Sequence, residues 1–137
     1  IKHPYICVMN LGCAAVFLMS NSGRSLQDIM NDSSEADTFR REWNSNTGDI
    51  RSIFCRDIGL SALNLIEATH HAHNDVRLFN IAWSTEKRSF CLIDFDNCTR
   101  QVTECNILKG IRTDTLMGLM IFTVAQIAMI VWLLDSE

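Results

Sequence analysis

The chain has no Cys-x-x-Cys pair, and its six cysteines, at 7, 13, 55, 91, 98 and 105, follow no regular framework. That argues against a disulfide scaffold and for reduced thiols in an intracellular protein. His70, His71 and His73 with Cys55, Cys91 or Cys98 would offer zinc ligands, but their spacing matches no compact Cys/His pattern. Positive charge is also short. The net charge is -4, there is no basic patch or interleaved aromatic platform, and no nucleic-acid partner is expected. Repeats and low-complexity tracts are missing. No signal peptide is visible, so the sequons Asn31-Asp32-Ser33 and Asn97-Cys98-Thr99 would matter only in a secreted chain. At 137 residues the chain suits one domain with a modest core.

What is present begins with two apolar runs, His3 to Asn10 and Ala14 to Met19, which read as strands. Ser25 with Asp28 three residues later gives a capping signal for a helix. Residues 31–49 are rich in Asn, Ser, Asp and Gly and read as a surface loop, with a short helix over Thr38 to Trp43. From Asp49, a good N-cap type, Phe54, Ile58, Ala62, Leu65 and Ile66 repeat at helical spacing up to His70. His70 and His71 would end this helix, where cations suit the dipole. Ile81-Ala82-Trp83 and Phe90-Cys91-Leu92-Ile93 flank the polar turn Ser84 to Ser89 and read as a hairpin.

Between that helix and hairpin lies His73-Asn74-Asp75-Val76-Arg77-Leu78-Phe79-Asn80, and after the hairpin comes Leu92-Ile93-Asp94-Phe95-Asp96. A His-x-Asp, an Asn five residues past the Asp, a cation between them, and an apolar-Asp-Phe fourteen residues beyond the Asn form a compound signal. Taken singly, Asp75 and Asn80 also suit turns, because both types bond locally to backbone. Together the residues resemble the catalytic loop and metal-binding strand end of the protein-kinase-like superfamily. The run is most similar to divergent fungal and oomycete kinase-like domains, including those of Crinkler-type effectors. The acidic Asp96 after the metal-type Asp is also similar to the aminoglycoside and choline phosphotransferase branch.

The resemblance implies ATP and magnesium as cofactors and a protein or small-molecule hydroxyl as phosphate acceptor. Asp75 would accept the hydroxyl proton, Arg77 would neutralise phosphoryl charge, and Asn80 and Asp94 would give magnesium its oxygen ligands. Arg77 stands where protein kinases usually carry Lys; its planar fork keeps the charge and changes the geometry. His73 would be structural. Met19, Ser20 and Asn21 would form the hinge whose backbone binds adenine, although a plain hairpin followed by a capped helix accounts for the same residues.

Several family features are missing. The chain has no Gly-rich phosphate loop, no Val-Ala-x-Lys strand and no helix to supply the partner Glu, and Lys2 cannot replace that lysine. Asp114 with Gly118 resembles the opening of the large lobe's central helix, only twenty residues after Asp94. No Ala-Pro-Glu lies between them, and Thr99 and Thr103 are weak phosphosite candidates, which favours a non-standard or small-molecule acceptor. The expectation is an α+β, protein-kinase-like fold incomplete at both ends. Residues 1–22 would hold the last small-lobe strands and hinge, and 23–137 part of the helical large lobe.

Thr115 to Leu134 is twenty residues without charge, long enough to span a bilayer. Lys109 and Arg112 before it and Asp135 and Glu137 after it would leave most of the chain in the cytoplasm. In the kinase-like reading the same segment is the buried central helix. The expected location is cytoplasmic, with nuclear or membrane-anchored alternatives. The rival functions are a catalytically inactive pseudokinase or interaction module, and a tail-anchored membrane protein.

Overall fold

The computed structural model describes the backbone of residues 5–10 and 15–19 and the full residues 21–98 and 115–136. Among these the chain is α+β. Strands β1 (Tyr5–Asn10) and β2 (Ala15–Met19) form an antiparallel pair running from Tyr5 opposite Met19 to Asn10 opposite Ala15. A second antiparallel sheet holds β3 (Arg24–Ser25), β4 (Ile81–Ser84) and β5 (Ser89–Leu92) in the order β3-β4-β5.

Helix α1 (Leu26–Asn31) starts where expected, with the Ser25 hydroxyl accepting the Asp28 N–H at 3.1 Å. The stretch expected to be mostly loop is instead α2 (Ser33–Asn44), capped by the Asp32 carboxylate on the Glu35 N–H. Two side chains explain it. Phe39 and Trp43 lie one turn apart and are buried, so an otherwise polar helix is fastened by one short apolar stripe.

The long helical stretch occurs as α3 (Ile50–Phe54), a π-turn at Cys55–Gly59, and α4 (Leu60–Thr69). Asp49 precedes it without a side-chain cap bond. The π-turn has a visible use: the Asp57 carboxylate accepts the Phe90 N–H at 2.9 Å, satisfying a backbone donor of β5 at the sheet edge. His70 ends α4 in the left-handed conformation, with φ at 58°.

Aromatic side chains from both layers close the core. Phe54 meets Trp43 at 5.5 Å and Phe90 at 5.1 Å between ring centroids, and Phe90 meets Trp83 at 4.4 Å. Helix α5 (Leu116–Asp135), capped by Thr115, adds Ile130 and Leu134 to this cluster. Its N-terminal half sends Leu119 and Phe122 into a second cluster with Ile66 and Ala72. Its C-terminal end is tied down as well. Asp135 accepts from Trp43 Nε1 at 2.7 Å and pairs with Arg51 at 2.5 Å, while Arg40 donates to the Ser136 carbonyl at 2.5 Å.

Candidate active site

The segment from Ala72 to Asn80 crosses from the end of α4 to the start of β4. A one-turn 3-10 helix, Leu78–Asn80, closes it, with the Asn80 N–H bonded to the Arg77 carbonyl at 2.9 Å. Its path needs positive φ at Asn74 (69°), and the strand end needs it at Asp94 (60°). Asn and Asp are among the side chains that best tolerate this region, so the residue types suit the backbone demanded of them.

His73 is fully buried. Its Nε2 donates to the Ile93 carbonyl at 2.9 Å and its Nδ1 accepts the Asp75 N–H at 3.3 Å, which defines a neutral imidazole. Burial pushes its pKa below the usual histidine value, against the opposing pull of the Ile93 hydrogen bond and the Asp75 and Asp94 charges. Phe95 packs edge-on against the ring at 5.0 Å. The structural role expected for His73 has here a concrete form: it pins the loop to the residue before Asp94.

Asn80 makes a second tie between the same two segments. Its Nδ2 donates to the Asp75 carbonyl at 2.9 Å and to Asp75 Oδ2 at 2.8 Å, and its own carbonyl accepts the Ile93 N–H at 2.9 Å. With the amide nitrogen so used, Oδ1 is the atom of this buried side chain with the chemistry of a cation ligand. Asp94 is exposed at the end of β5, and its Oδ1 accepts the Asp96 N–H at 3.4 Å. Among the described residues no three or more His, Cys, Asp or Glu side chains gather as a metal-binding group.

Asp75 is the most heavily contacted carboxylate of the segment. Oδ1 pairs with Arg77 Nε at 3.0 Å, and Oδ2 accepts from Asn80 and, at 3.3 Å, from Asn97 Nδ2. The Arg77 guanidinium lies over the Phe79 ring at 5.3 Å, and Phe79 itself is 53% exposed beside the carboxylate. Cys98 follows in the same turn. Burial pushes its thiol pKa up, and the Asp94 and Asp96 charges add to the shift, so it is held protonated and is a poor nucleophile.

Asp75, Arg77, Asn80 and the strand end leading to Asp94 thus belong to one hydrogen-bonded unit. The expected hinge residues are a different matter. Met19 is described by its backbone alone, and Ser20, like Lys2, Thr99, Thr103 and Asp114, lies outside the described residues. Asn21 turns its side chain onto the Gly23 N–H and offers its carbonyl to Lys87 Nζ at 3.5 Å. It borders an open polar depression with Gly23, Arg24 and the Ser84–Lys87 turn. Asn97 and the Ile93 carbonyl are members of the unit that the motifs did not single out. The spacing of Asn97, three residues past Asp94, carries no signal by itself.

No protein-family model matches the chain, nor does any curated protein or solved structure.

Proposed function

We propose that this chain carries the catalytic loop and metal-binding strand end of a kinase-like, ATP- and magnesium-dependent phosphotransferase acting on a protein or small-molecule hydroxyl. One observation carries the reading: Asn80 bridges the two elements, donating to Asp75 while its carbonyl holds the amide next to Asp94. A turn residue needs only one local bond. A residue that fixes a carboxylate and a strand end together is what positioning two reactants asks for.

In this reading Asp75 accepts the proton of the acceptor hydroxyl, whose oxygen attacks the γ-phosphorus as ADP leaves. Arg77 swings from Asp75 toward the phosphoryl oxygens. Asn80 Oδ1 and the Asp94 carboxylate would be the hard oxygen donors to magnesium, which when bound would supply positive charge against that of the nucleotide phosphates. The backbone from Met19 to Asn21 is assigned to adenine.

The test is phosphotransfer by the full-length protein carrying Asp75→Asn. Loss of a general base predicts a fall of roughly 10²- to 10⁴-fold with MgATP binding retained. Activity equal to that of the unaltered protein removes Asp75 from the role. A second reading, an interaction module of the same lineage without turnover, draws on α5, where Met117 is 65% and Trp132 67% exposed. Calorimetric titration with MgATP separates the two, because only the enzyme reading requires binding.

A further inference from the structure

Asp75 receives three donors, and they are not equivalent. An ionised carboxylate has about four acceptor sites, two on each oxygen, and both on Oδ2 are taken, by Asn80 and Asn97, so a hydroxyl reaches that oxygen only by displacing one of them. Asn80 is buried and bonds both the Asp75 carbonyl and its carboxylate, so it belongs to the frame of the loop. Arg77 is two residues away on the same loop and braced on Phe79. Asn97 differs on every count. It comes from a separate segment twenty-two positions along, it is exposed, and its 3.3 Å bond to Oδ2 is the longest of the three.

The turn that carries Asn97 is lightly held. Among the described residues, its hydrogen bonds besides that of Asn97 are a 3.3 Å bond from the Cys98 N–H to the Phe95 carbonyl and a 3.4 Å bond from the Asp96 N–H to Asp94 Oδ1. Both are near the long limit for such bonds. The group it presents to Asp75 is a neutral hydrogen-bond donor, an N–H where an acceptor hydroxyl would present its O–H.

We propose that Asn97 is a positioning residue that occupies the acceptor's place on Asp75 and is displaced when the acceptor hydroxyl binds. This inference rests on the phosphotransferase reading and adds a selectivity to it. With Asn97 seated, a passing water competes poorly for the carboxylate. An acceptor that gains contacts elsewhere on the surface displaces the amide, so transfer to solvent is suppressed until an acceptor arrives.

The experiment uses the full-length protein and Asn97→Ala, with two probes: release of inorganic phosphate from MgATP, where water is the acceptor, and phosphorylation of dephosphorylated casein. The variant is expected to raise phosphate release about two- to tenfold, the factor of one ordinary hydrogen bond. It is expected to lower the casein KM by a similar factor, with kcat and the ATP KM unchanged. A merely structural Asn97 would lower kcat or the melting temperature and leave that split absent.

A second measurement reads the contact without turnover. The Asn97 side-chain amide protons, assigned by their loss in Asn97→Ala, should shift in Asp75→Ala; unmoved resonances overturn the proposal. If the unaltered protein turns over and Asn97→Ala leaves hydrolysis unchanged or slower, the gating role falls and the phosphotransferase reading stands. If the amide shifts but neither protein hydrolyses MgATP or labels casein, the phosphotransferase reading fails and takes the gating role with it.

Discussion

His73 gives the most demanding quantitative prediction. Its ring is fully buried, and both nitrogens are committed: Nε2–H to the Ile93 carbonyl and Nδ1 to the Asp75 N–H. Protonation would turn Nδ1 from acceptor to donor and break the second bond, so the folded state resists the proton. That agrees with a pKa lowered from 6.5 by burial. Between the lowered folded value and about 6.5 the unfolded chain binds more protons, so stability rises with pH in that window and is lost as pH falls through it. Above about pH 6.5 this residue contributes no slope, and within the window the slope is at most about 1.4 kcal/mol per pH unit.

Two substitutions test this while preserving one bond each. In His73→Asn the amide oxygen can take the place of Nδ1, and the Ile93 carbonyl loses its partner. In His73→Gln the amide nitrogen can reach toward Ile93, and the Asp75 N–H is orphaned. Each leaves one buried polar group unsatisfied and should cost about 1–3 kcal/mol at about pH 8. Urea unfolding followed by the fluorescence of buried Trp43 and Trp83 gives both the cost and the slope. Both variants should also lose the part of the pH dependence just below about pH 6.5 that the unaltered protein shows. If they keep that slope in full, His73 is not the titrating group and the neutral-imidazole pin is refuted.

Three further outcomes follow from single atoms. Gly23 has φ at 107°, and a Cβ there would meet the Trp83 carbonyl oxygen at 2.0 Å, so Gly23→Ala should part β3 from β4 and lower the melting temperature by more than about 10 °C. Gly59→Ala is the matched control: a Cβ there meets nothing within 4 Å, and the change should stabilise by about 0.5–1 kcal/mol. Thr123 is fully buried on α5, and its hydroxyl finds no hydrogen-bond partner among the described residues. Thr123→Val should therefore stabilise by about 1 kcal/mol in a thermal melt, and a loss of stability would show that the hydroxyl is bonded.

The elements legible in the sequence are those whose signal is local. Ser25 and Asp28 mark a helix start, and the runs around Trp83 and Phe90 alternate into β4 and β5. The motif spacing singled out Asp75 and Asn80, which a hydrogen bond joins, and Asp94, whose preceding residue Ile93 is bonded by Asn80 and His73. Helix α2 was legible only over Thr38 to Trp43, because Phe39 and Trp43 alone commit it to the core, while the Ser and Asp content of its first turns is what loops also use. The π-turn was hidden differently. Phe54, Ile58, Ala62 and Ile66 are all fully buried at intervals of four. In a regular α-helix each such step overshoots by about 40°, so the stripe would drift off the core. The wider turn at Cys55–Gly59 absorbs drift, which makes the strict interval of four a faint trace of it. Asn97 left no trace, since its contact with Asp75 is made in space between separate segments.

Helix α5 has the length and apolar composition to cross a bilayer, yet its inner face is already engaged. Ile130 and Leu134 are buried in the aromatic core, and Asp135 and Ser136 are held by Trp43, Arg51 and Arg40. Stripping two such side chains from the core costs about 3–6 kcal/mol, comparable with the roughly 5–15 kcal/mol that stabilises a whole domain. The candidate site would suffer too. Leu119 and Phe122 pack with Ala72 just before His73, and Gln126 donates to the Asn74 carbonyl at 3.4 Å, so α5 is the floor of the loop that carries Asp75. A helix with this duty cannot enter a bilayer as a free span without dissolving the site above it. The membrane and catalytic readings are therefore compatible only where lipid meets the outer face, at Met117, Ile121, Val124 and Trp132, while the inner face stays docked.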